Sequence, residues 1–333
     1  MQYKDTSSGN YHRLVHLANG GMSEAWLASR PVSNGVPFAV LKQLLPSLED
    51  QVAARHILQA EGKLLQTLHH PNIVRAYEMA VVDDRLSLPL EFIYGDTLNR
   101  VLAQSLRQGV LFPFYLTAYI LHAYVGALHY LHVDARQAPL VHGDISPQNL
   151  MVSYRGEVKL IDLGVCNAEL ERGQLIGKPA YTAPEQLLGI ASGPPSDIFT
   201  LGIVAWELLV GRRLVNVNDS MQAKKRLVHQ RIPSPSVLRE SVPAELETVV
   251  RAMLEINPAH RITAAEAQSK LGRYLQSHPH ASQEKTVLSA FMYRYAPQKK
   301  RDLDHFFSAT LATQSTGEAS TLAAPWTIKS RSS

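Results

Sequence analysis

One stretch of eight residues combines the residue types needed to move a phosphate group. It runs from His142 to Asn149 and reads HGDISPQN. A carboxylate such as that of Asp144 can orient a hydroxyl group and accept its proton. The amide oxygen of a residue such as Asn149 can act as a ligand of Mg²⁺. An acid and an amide at this spacing predict a loop that orients a substrate hydroxyl and helps to hold a metal ion near phosphates.

The residues after this loop predict a β-hairpin that adds a second acid to the site. Two short apolar runs flank a turn that contains Gly156, as is typical of antiparallel hairpins. We expect a register that pairs Ser153 with Val158. In that register Asn149 lies opposite Asp162, and the two side chains offer the hard oxygen atoms that Mg²⁺ prefers. Asn and Asp are also common at strand ends, so an ordinary turn-rich hairpin is the alternative.

A helix upstream carries one acid on its apolar face. Apolar residues recur at helical spacing between Leu48 and Leu68, and Glu61 falls within that stripe. A buried carboxylate without a partner costs roughly 3–5 kcal/mol, so we expect Glu61 to be paired. Lys42, at the end of the apolar strand FAVLK, is the partner we expect. The alternative is a glutamate at the edge of the stripe that reaches solvent.

Further motifs follow one another in order along the chain. They are LANGGMSEA at 17–25, FAVLK at 38–42, HPNIV at 70–74, DLG at 162–164, APE at 183–185 and NPAHR at 257–261. Together with the loop at 142–149, this series resembles the eukaryotic-like protein kinase superfamily, and most closely the soluble bacterial serine/threonine kinases. The resemblance covers roughly residues 11 to 276.

The resemblance implies an α+β fold with two lobes. The N-lobe, expected at 11–92, is small and mainly antiparallel β-sheet with one key helix. The C-lobe, expected at 93–277, is larger and mainly helical. An N-terminal extension at 1–10 and a C-terminal extension at 278–333 would flank this kinase domain.

The resemblance also implies ATP and Mg²⁺ as cofactors and a protein as substrate. Lys42 would contact the α- and β-phosphates and pair with Glu61, and Asp144 would orient the substrate hydroxyl. Asn149 and Asp162 would hold Mg²⁺. The residues expected along the nucleotide are Leu17, Ala18, Asn19, Gly20, Gly21, Met22, Ser23, Glu24, Ala25, Lys42, Glu91 and Ile93.

Gly143 departs from the family pattern. It stands where most relatives carry an arginine that meets a phosphate on the activation segment, the stretch between DLG and APE. Residues 165–180 contain no Ser, Thr or Tyr, which leaves Tyr181 and Thr182 next to APE. Our hypothesis is that phosphorylation of this segment does not control activity.

Ser146 departs from the pattern at a residue with a catalytic role. Relatives carry a lysine there that stabilises charge on the transferring phosphoryl group. In GKPAY at 177–181, Lys178 stands where relatives with GTPAY carry a threonine that contacts that lysine. The hydroxyl and the amine have thus changed places, and our hypothesis is that Lys178 supplies the missing ammonium. The alternative is two unrelated changes in a weakened enzyme.

An uncharged stretch at 108–133 raises the possibility of a membrane span. Its three histidines and four tyrosines argue against that interpretation. A helix from Pro113 to about His132, buried in the large lobe, is what we expect instead. The histidines in it are then structural residues and not ligands.

Charged residues near the end of the large lobe indicate structural contacts. Asp197 opens an apolar helix, where it would act as an ordinary N-terminal cap. By resemblance it would also accept backbone amides of the loop at 142–149, and both interpretations can hold together. Arg261 matches the arginine that pairs with Glu185 in the family. Thr263 and Glu266 form a capping box at the start of the last helix of the domain.

Composition is consistent with one such domain plus an extension. The chain has 333 residues and a net charge of +4, which is too mild to indicate a nucleic acid partner. The single cysteine, Cys166, rules out an internal disulfide. We see no transmembrane segment and no signal-peptide pattern around Lys4 and Asp5, and we therefore expect a cytoplasmic location.

The C-terminal extension has two parts in the sequence. Val287, Leu288, Phe291 and Met292 recur at helical spacing and predict a helix over 284–295 that packs on the large lobe. The basic residues at 294 and 299–301 indicate a solvated face, with an acidic partner or a membrane surface as the alternative. From 312 the composition turns to Ser, Thr and Ala without periodicity, which predicts disorder.

Three classes of function remain open on the sequence. An active serine/threonine protein kinase is favoured by the presence of Lys42, Glu61, Asp144, Asn149 and Asp162. A pseudokinase or scaffold is favoured by the glycine-poor nucleotide loop and by Ser146. A small-molecule kinase is suggested by the H-G-D sequence, but APE together with Arg261 argues against it.

Overall fold

The structure is a computed structural model. It describes residues 11–30, 38–134, 139–163, 178–190, 192–215, 220–297, 300, 301, 303, 304, 307 and 308. The expectations for residues 1–10, for Cys166, for the activation segment up to Gly177, for Lys299 and for the tail from 312 lie outside the described residues. The chain divides into two compact units. The first holds the described residues of 11–69, 74–92 and 301–308, and the second those of 70–73 and 93–300.

The first unit is built on a five-stranded antiparallel sheet with the order β1-β2-β3-β5-β4. Its strands are β1 (His12–Asn19), β2 (Ser23–Ser29), β3 (Phe38–Leu44), β4 (Ala80–Val82) and β5 (Arg85–Glu91). The helix α1 (Val52–Thr67) contacts β3 and β5. The face that α1 buries contains Leu58, Glu61, Leu64 and Leu65, as the helical periodicity predicts.

The second unit combines a small antiparallel sheet with nine helices among the residues that the structure describes. The strands are β6 (Gly95–Thr97), β7 (Leu150–Ser153) and β8 (Val158–Leu160). The helices are α2 (Leu98–Arg107), α3 (Phe114–His129), α4 (Pro184–Leu187), α5 (Pro194–Val210), α6 (Ser220–His229), α7 (Pro235–Leu238), α8 (Ala244–Met253), α9 (Ala264–Gln276) and α10 (Glu284–Tyr295).

The uncharged stretch forms the buried helix α3. Twelve of its sixteen residues are buried, and it packs against α5 and α9. It ends at His129, earlier than expected, and a π-helical turn over Tyr130–Asp134 follows. Across the described ranges, we find no helix with the length and hydrophobicity required to span a membrane.

The helix α10 packs on the turn that joins β7 to β8. The Ser289 hydroxyl donates to the Tyr154 carbonyl at 2.8 Å, and the Tyr154 hydroxyl donates to the Ala296 carbonyl at 2.6 Å. Leu288, on the inner face of α10, is fully buried. The expected helix over 284–295 is confirmed, and it covers the hairpin on which Asn149 and Asp162 depend.

Gly156 is required at this contact for two reasons. Its φ is +75°, and a Cβ atom there would lie 2.0 Å from the Lys285 carbonyl oxygen. Gly156→Ala should therefore lower the free energy of unfolding by roughly 1–3 kcal/mol, from left-handed backbone strain and overpacking. Gly109→Ala is the matched control, because Gly109 has φ +71° and open space around its Cβ position. Urea denaturation should show a larger loss of unfolding free energy for Gly156→Ala than for Gly109→Ala. Equal losses would contradict the close approach of Lys285 to Gly156.

Candidate active site

The loop from His142 to Asn149 is held by one buried carboxylate. Asp197 is 2% exposed and accepts the backbone N–H of His142 at 2.8 Å and that of Gly143 at 3.0 Å. Its Oδ2 atom also lies 3.0 Å from Nε2 of His132. Asp197 lies in the first turn of α5, whose N-cap residue is Gly193, so the N-cap interpretation is wrong and the amide-acceptor interpretation is confirmed.

Gly143 adopts a backbone conformation that suits glycine. Its φ is +79°, in the left-handed region. A residue with a side chain pays roughly 1–2 kcal/mol in that region. Glycine at position 143 therefore avoids backbone strain in the loop. It also lacks the side chain of the arginine that relatives carry there.

Asp144 and Asn149 are in direct contact. The Asn149 amide nitrogen donates to the Asp144 carbonyl oxygen and to its Oδ2 atom, both at 2.8 Å. Both amide hydrogens are used in these bonds, so the amide oxygen of Asn149 is the atom available to a cation. Burial raises the pKa of Asp144, while the Lys178 ammonium lowers it.

The hairpin after the loop forms, but its register differs from the expected one. Val158 pairs with Val152 and not with Ser153. The reason is a tighter turn, in which the Ser153 N–H donates to the Glu157 carbonyl at 2.8 Å and only three residues, 154–156, lie between them. A shift of one residue moves every side chain of a strand to the opposite face, so the expectation was wrong in a way that matters for the site.

Asp162 consequently lies one residue beyond the position opposite Asn149. Asn149 faces Ile161, whose N–H donates to the Asn149 carbonyl at 3.0 Å. Asp162 has a φ of +55°, which is uncommon for a residue with a side chain and is typical of functional sites. Its charge acts on both Asp144 and Lys178, so the three groups share one neighbourhood.

Lys178 and Ser146 are in contact, as the exchanged hydroxyl and amine suggest. The Lys178 ammonium donates to the Ser146 hydroxyl at 3.1 Å, and Ser146 is fully buried. Burial lowers the pKa of Lys178, and the carboxylates of Asp144 and Asp162 raise it. The pKa of Lys178 therefore depends on the charges of Asp144 and Asp162 as well as on burial.

In the first unit, Lys42 and Glu61 form the expected pair. Nζ of Lys42 lies 2.6 Å from Oε1 of Glu61. The side chains are 17% and 7% exposed, so the alternative of a solvent-exposed glutamate is wrong. Strand β3 positions the lysine and the buried face of α1 positions the acid.

The LANGGMSEA segment forms the turn between β1 and β2. The Gly20 N–H donates to the Ser23 carbonyl at 2.6 Å, which closes the turn. A Cβ atom on Gly21 would meet nothing within 4 Å, so this backbone is open to an approaching group. The carboxylate of Glu24 forms an ion pair with Arg85 at 2.6 Å, which links β2 to β5 in the sheet.

Glu91 and Ile93 lie at the boundary of the two units in the sequence. Glu91 ends β5, and its carboxylate accepts the backbone N–H of Arg75 at 3.0 Å. The Glu91 N–H donates to the Arg75 carbonyl at 2.9 Å. Ile93 is 8% exposed and is the first residue of the second unit's long segment.

The APE motif is anchored as expected. Arg261 donates to both carboxylate oxygens of Glu185, at 2.8 and 3.0 Å, and both residues are buried. The capping box of Thr263 and Glu266 is also present. These contacts fix the segment that follows Lys178.

Sequence reasoning missed Glu207, which binds the residue next to the APE motif. The Tyr181 hydroxyl donates to Glu207 at 2.7 Å, and Glu207 is 1% exposed. Burial raises the pKa of Glu207 to about 8. A signal was present in the sequence, because Glu207 is the one acid within the apolar run after Asp197.

Comparison with known proteins identifies related sequences over most of the chain. A family model described as protein kinase domain matches residues 11–271. The tyrosine-protein kinase MasK of Myxococcus xanthus is 31% identical over 81% of this chain and 44% of its own length. The serine/threonine-protein kinase PrkC of Bacillus subtilis is 28% identical over 78% of this chain and 39% of its own length. The chain thus spans less than half the length of both relatives.

Solved structures agree on the fold. The PknI kinase domain of Mycobacterium tuberculosis superposes with a TM-score of 0.61 at 23% identity, and the match covers 80% of this chain and 97% of that domain. Identity at this level supports the fold alone. The two-lobed kinase-like fold, with an antiparallel sheet in one lobe and helices in the other, is confirmed.

Proposed function

The chain belongs to the protein kinase domain family, and we propose that it transfers the γ-phosphoryl group of ATP to serine or threonine hydroxyls of proteins. The observation that carries this proposal is the contact of Asp144 with Asn149 in a loop held by the buried Asp197. The relatives include a serine/threonine-protein kinase and a tyrosine-protein kinase by name. Identification of the phosphorylated amino acid in the product decides whether the acceptor is serine, threonine or tyrosine.

In the proposed step one bond to phosphorus forms, one bond to phosphorus breaks and one proton is transferred. The substrate hydroxyl oxygen forms a bond to the γ-phosphorus, and the bond from that phosphorus to the β–γ bridging oxygen breaks. ADP leaves with that electron pair, and the carboxylate of Asp144 accepts the hydroxyl proton. The bonds from Asn149 support this role because they fix the orientation of the Asp144 carboxylate.

The residues of the second unit fit a magnesium ion. Asn149 and Asp162 offer an amide oxygen and a carboxylate, the hard ligands that Mg²⁺ takes. The described residues contain no group of three or more His, Cys, Asp and Glu side chains that could hold a metal ion by themselves. Two protein ligands suffice for Mg²⁺ when phosphates and waters complete its shell. A bound Mg²⁺ supplies positive charge that neutralises the phosphates during transfer.

In the first unit, Lys42 is proposed to hold the α- and β-phosphates. Its ion pair with Glu61 supports this role, because the short contact fixes a long and flexible side chain. The turn at Gly20 and Gly21 is proposed to cover the nucleotide, together with its neighbours from Leu17 to Ala25. Glu91 and Ile93 are proposed to contact the adenine through their backbone.

Substitution of Glu61, the partner of Lys42, tests the proposed role of Lys42 in holding the phosphates. Glu61→Ala should lower kcat/KM for ATP by roughly tenfold to a hundredfold, the loss expected for one hydrogen bond between charged groups. Lys63→Ala, at an exposed position of the same helix, is the control and should leave kcat/KM unchanged. Steady-state kinetics at varied ATP measures both variants. Equal values for the two would contradict the proposed role of the pair.

Lys178 is proposed to supply the ammonium that relatives carry in the catalytic loop. Its contact with Ser146 supports this, because Ser146 is the position of the missing lysine. The nearby charges of Asp144 and Asp162 support it further. The alternative of two unrelated changes predicts no functional link between residues 146 and 178.

Control by a phosphate on the activation segment is not expected. Gly143 lacks the side chain that would receive the phosphate. The Tyr181 hydroxyl donates to Glu207, and the Thr182 hydroxyl donates to the Lys178 carbonyl at 3.1 Å, so both face internal partners. Residues 164–177 lie outside the described residues. Mass spectrometry after incubation with ATP tests the idea, and a stoichiometric, activating phosphate at Tyr181 or Thr182 would refute it.

A pseudokinase is the second candidate function. Ala18 and Ser23 replace the outer glycines of the nucleotide loop, and Ser146 replaces the lysine. Transfer of radiolabelled phosphate from Mg-ATP to generic protein substrates separates the two candidates. An active kinase labels the substrate and loses that labelling in Asp144→Asn, whereas a pseudokinase shows no labelling in either form.

A further inference from the structure

A closed ring of contacts in the second unit begins and ends at Lys178. The Lys178 ammonium donates to Ser146 at 3.1 Å. The next residue, Pro147, accepts the backbone N–H of Asn99 at 2.8 Å through its carbonyl oxygen. The Asn99 side-chain oxygen accepts a hydrogen bond from Nη2 of Arg213 at 2.6 Å. This half of the ring leads from the catalytic loop to Arg213.

The other half returns from Arg213 to the backbone of Lys178. Nη1 of Arg213 donates to Oε2 of Glu207 at 3.2 Å, and the Tyr181 hydroxyl donates to the same oxygen at 2.7 Å. The Leu214 N–H donates to Oε1 of Glu207 at 3.1 Å. The Tyr181 N–H then donates to the Lys178 carbonyl at 2.8 Å, which closes the ring. Glu207 is thus a buried acceptor on which three donors converge.

We infer that this ring holds the Lys178 ammonium at its working position, so that Tyr181 and Arg213 are positioning residues for phosphoryl transfer. The inference rests on the proposed function. A lysine side chain has several rotatable bonds, and only its charged end would act on the phosphoryl group. The ring restrains Lys178 at both ends, through its backbone carbonyl and through Ser146, the partner of its ammonium.

The placement of Lys178 in the sequence explains why such a ring is needed. A lysine at position 146 would stand in the loop whose backbone Asp197 fixes directly. Lys178 instead precedes a short 3₁₀ turn over Pro179–Tyr181. A displacement of about 1 Å at a reacting group can cost about a hundredfold in rate. Without an anchor for the turn, the ammonium would lose its position.

The test moves the lysine back into the catalytic loop. The double variant Ser146→Lys with Lys178→Thr carries the family arrangement, in which the ammonium no longer depends on the turn. Tyr181→Phe in the natural background should lower kcat by about tenfold with little change in KM for ATP, as expected for one lost hydrogen bond. In the double-variant background, Tyr181→Phe should leave kcat unchanged. An equal loss in both backgrounds would overturn the inference, because it would indicate a structural or peptide-binding role for Tyr181.

Substitution of Arg213 provides a second test, with the neighbouring Arg212 as its control. Arg213→Ala should lower kcat in the natural background and not in the double variant. Arg212→Ala, at the exposed neighbouring position, should change kcat in neither. Thermal unfolding of each protein separates loss of position from loss of fold.

A measurement without turnover keeps the inference testable if the double variant or the natural enzyme is inactive. Acylation of lysines by a small ester reagent, followed by mass spectrometry, reports how accessible the Lys178 amine is. Tyr181→Phe and Arg213→Ala should raise the labelling rate of Lys178 several-fold relative to Arg212→Ala. Unchanged labelling would overturn the inference. An inactive natural enzyme with increased labelling would refute the proposed function while leaving the ring supported.

Discussion

Asp144→Asn should lower the rate of phosphoryl transfer by about 10²–10⁴-fold, the range that general base catalysis contributes. The amide has the shape of the carboxylate but cannot accept the hydroxyl proton. Asn149 can still donate to the residue at 144, because an amide oxygen is also an acceptor. The fold should therefore persist, and the loss should appear in kcat and not in KM for ATP. Radiolabelled transfer under single-turnover conditions measures it.

Asp50→Asn is the control for this experiment, because Asp50 is exposed in the first unit. It makes the same chemical change away from the catalytic loop and should retain the natural rate. A natural rate in Asp144→Asn would contradict the assignment of Asp144 as the catalytic acid–base group. Absence of transfer in the natural protein itself would favour the pseudokinase.

Lys178→Ala should lower kcat by about 10²–10³-fold, the loss seen when one preorganised donor to developing charge is removed. The reason is the position of the ammonium, which contacts Ser146 and is influenced by Asp144 and Asp162. The change also removes the one charged partner described for Ser146, a fully buried hydroxyl. Steady-state kinetics with a generic protein substrate measures the effect.

Rescue makes this prediction specific. Adding Ser146→Lys to Lys178→Ala should recover most of the lost rate. The new lysine at position 146 places an ammonium where residues 146 and 178 are in contact. Lys225→Ala, at an exposed position of α6, should have no effect and controls for the loss of a surface charge. If Lys178→Ala retains the natural rate, the exchange of hydroxyl and amine is an unrelated pair of changes.

Local patterns in the sequence predicted much of the fold and of the site. The buried position of Glu61 followed from helical periodicity, and the contact with Lys42 followed from the cost of an unpaired buried charge. The helix over 284–295 was predicted with the bounds that the structure has. These features succeed because they depend on the spacing of residues within one element or on a single strong pairing.

The register of the β7–β8 hairpin could not be predicted in the same way. The sequence allows a turn of three or of four residues around Gly156, and the two differ by one residue in pairing. The choice depends on a hydrogen bond from Ser153 to Glu157 and on α10, which lies against the turn from far along the chain. For Asp197 only the start of its helix differed from the expectation, because α5 begins at Pro194, whereas the contact of its carboxylate with the loop at 142–149 was expected from the resemblance.

The family and the two-lobed fold could be predicted from the order of the motifs along the chain. The candidate catalytic residues Asp144 and Asn149 could be predicted because they lie five positions apart and act as a local unit. The sequence also indicated that a hydroxyl and an amine had exchanged places. The contact of Lys178 with Ser146 across 32 positions, and the bonds of Glu207 with Arg213 and Tyr181 beside it, became visible only in the three-dimensional fold. No periodicity encodes such contacts, because they depend on how α5, the catalytic loop and the turn before the APE motif pack in three dimensions.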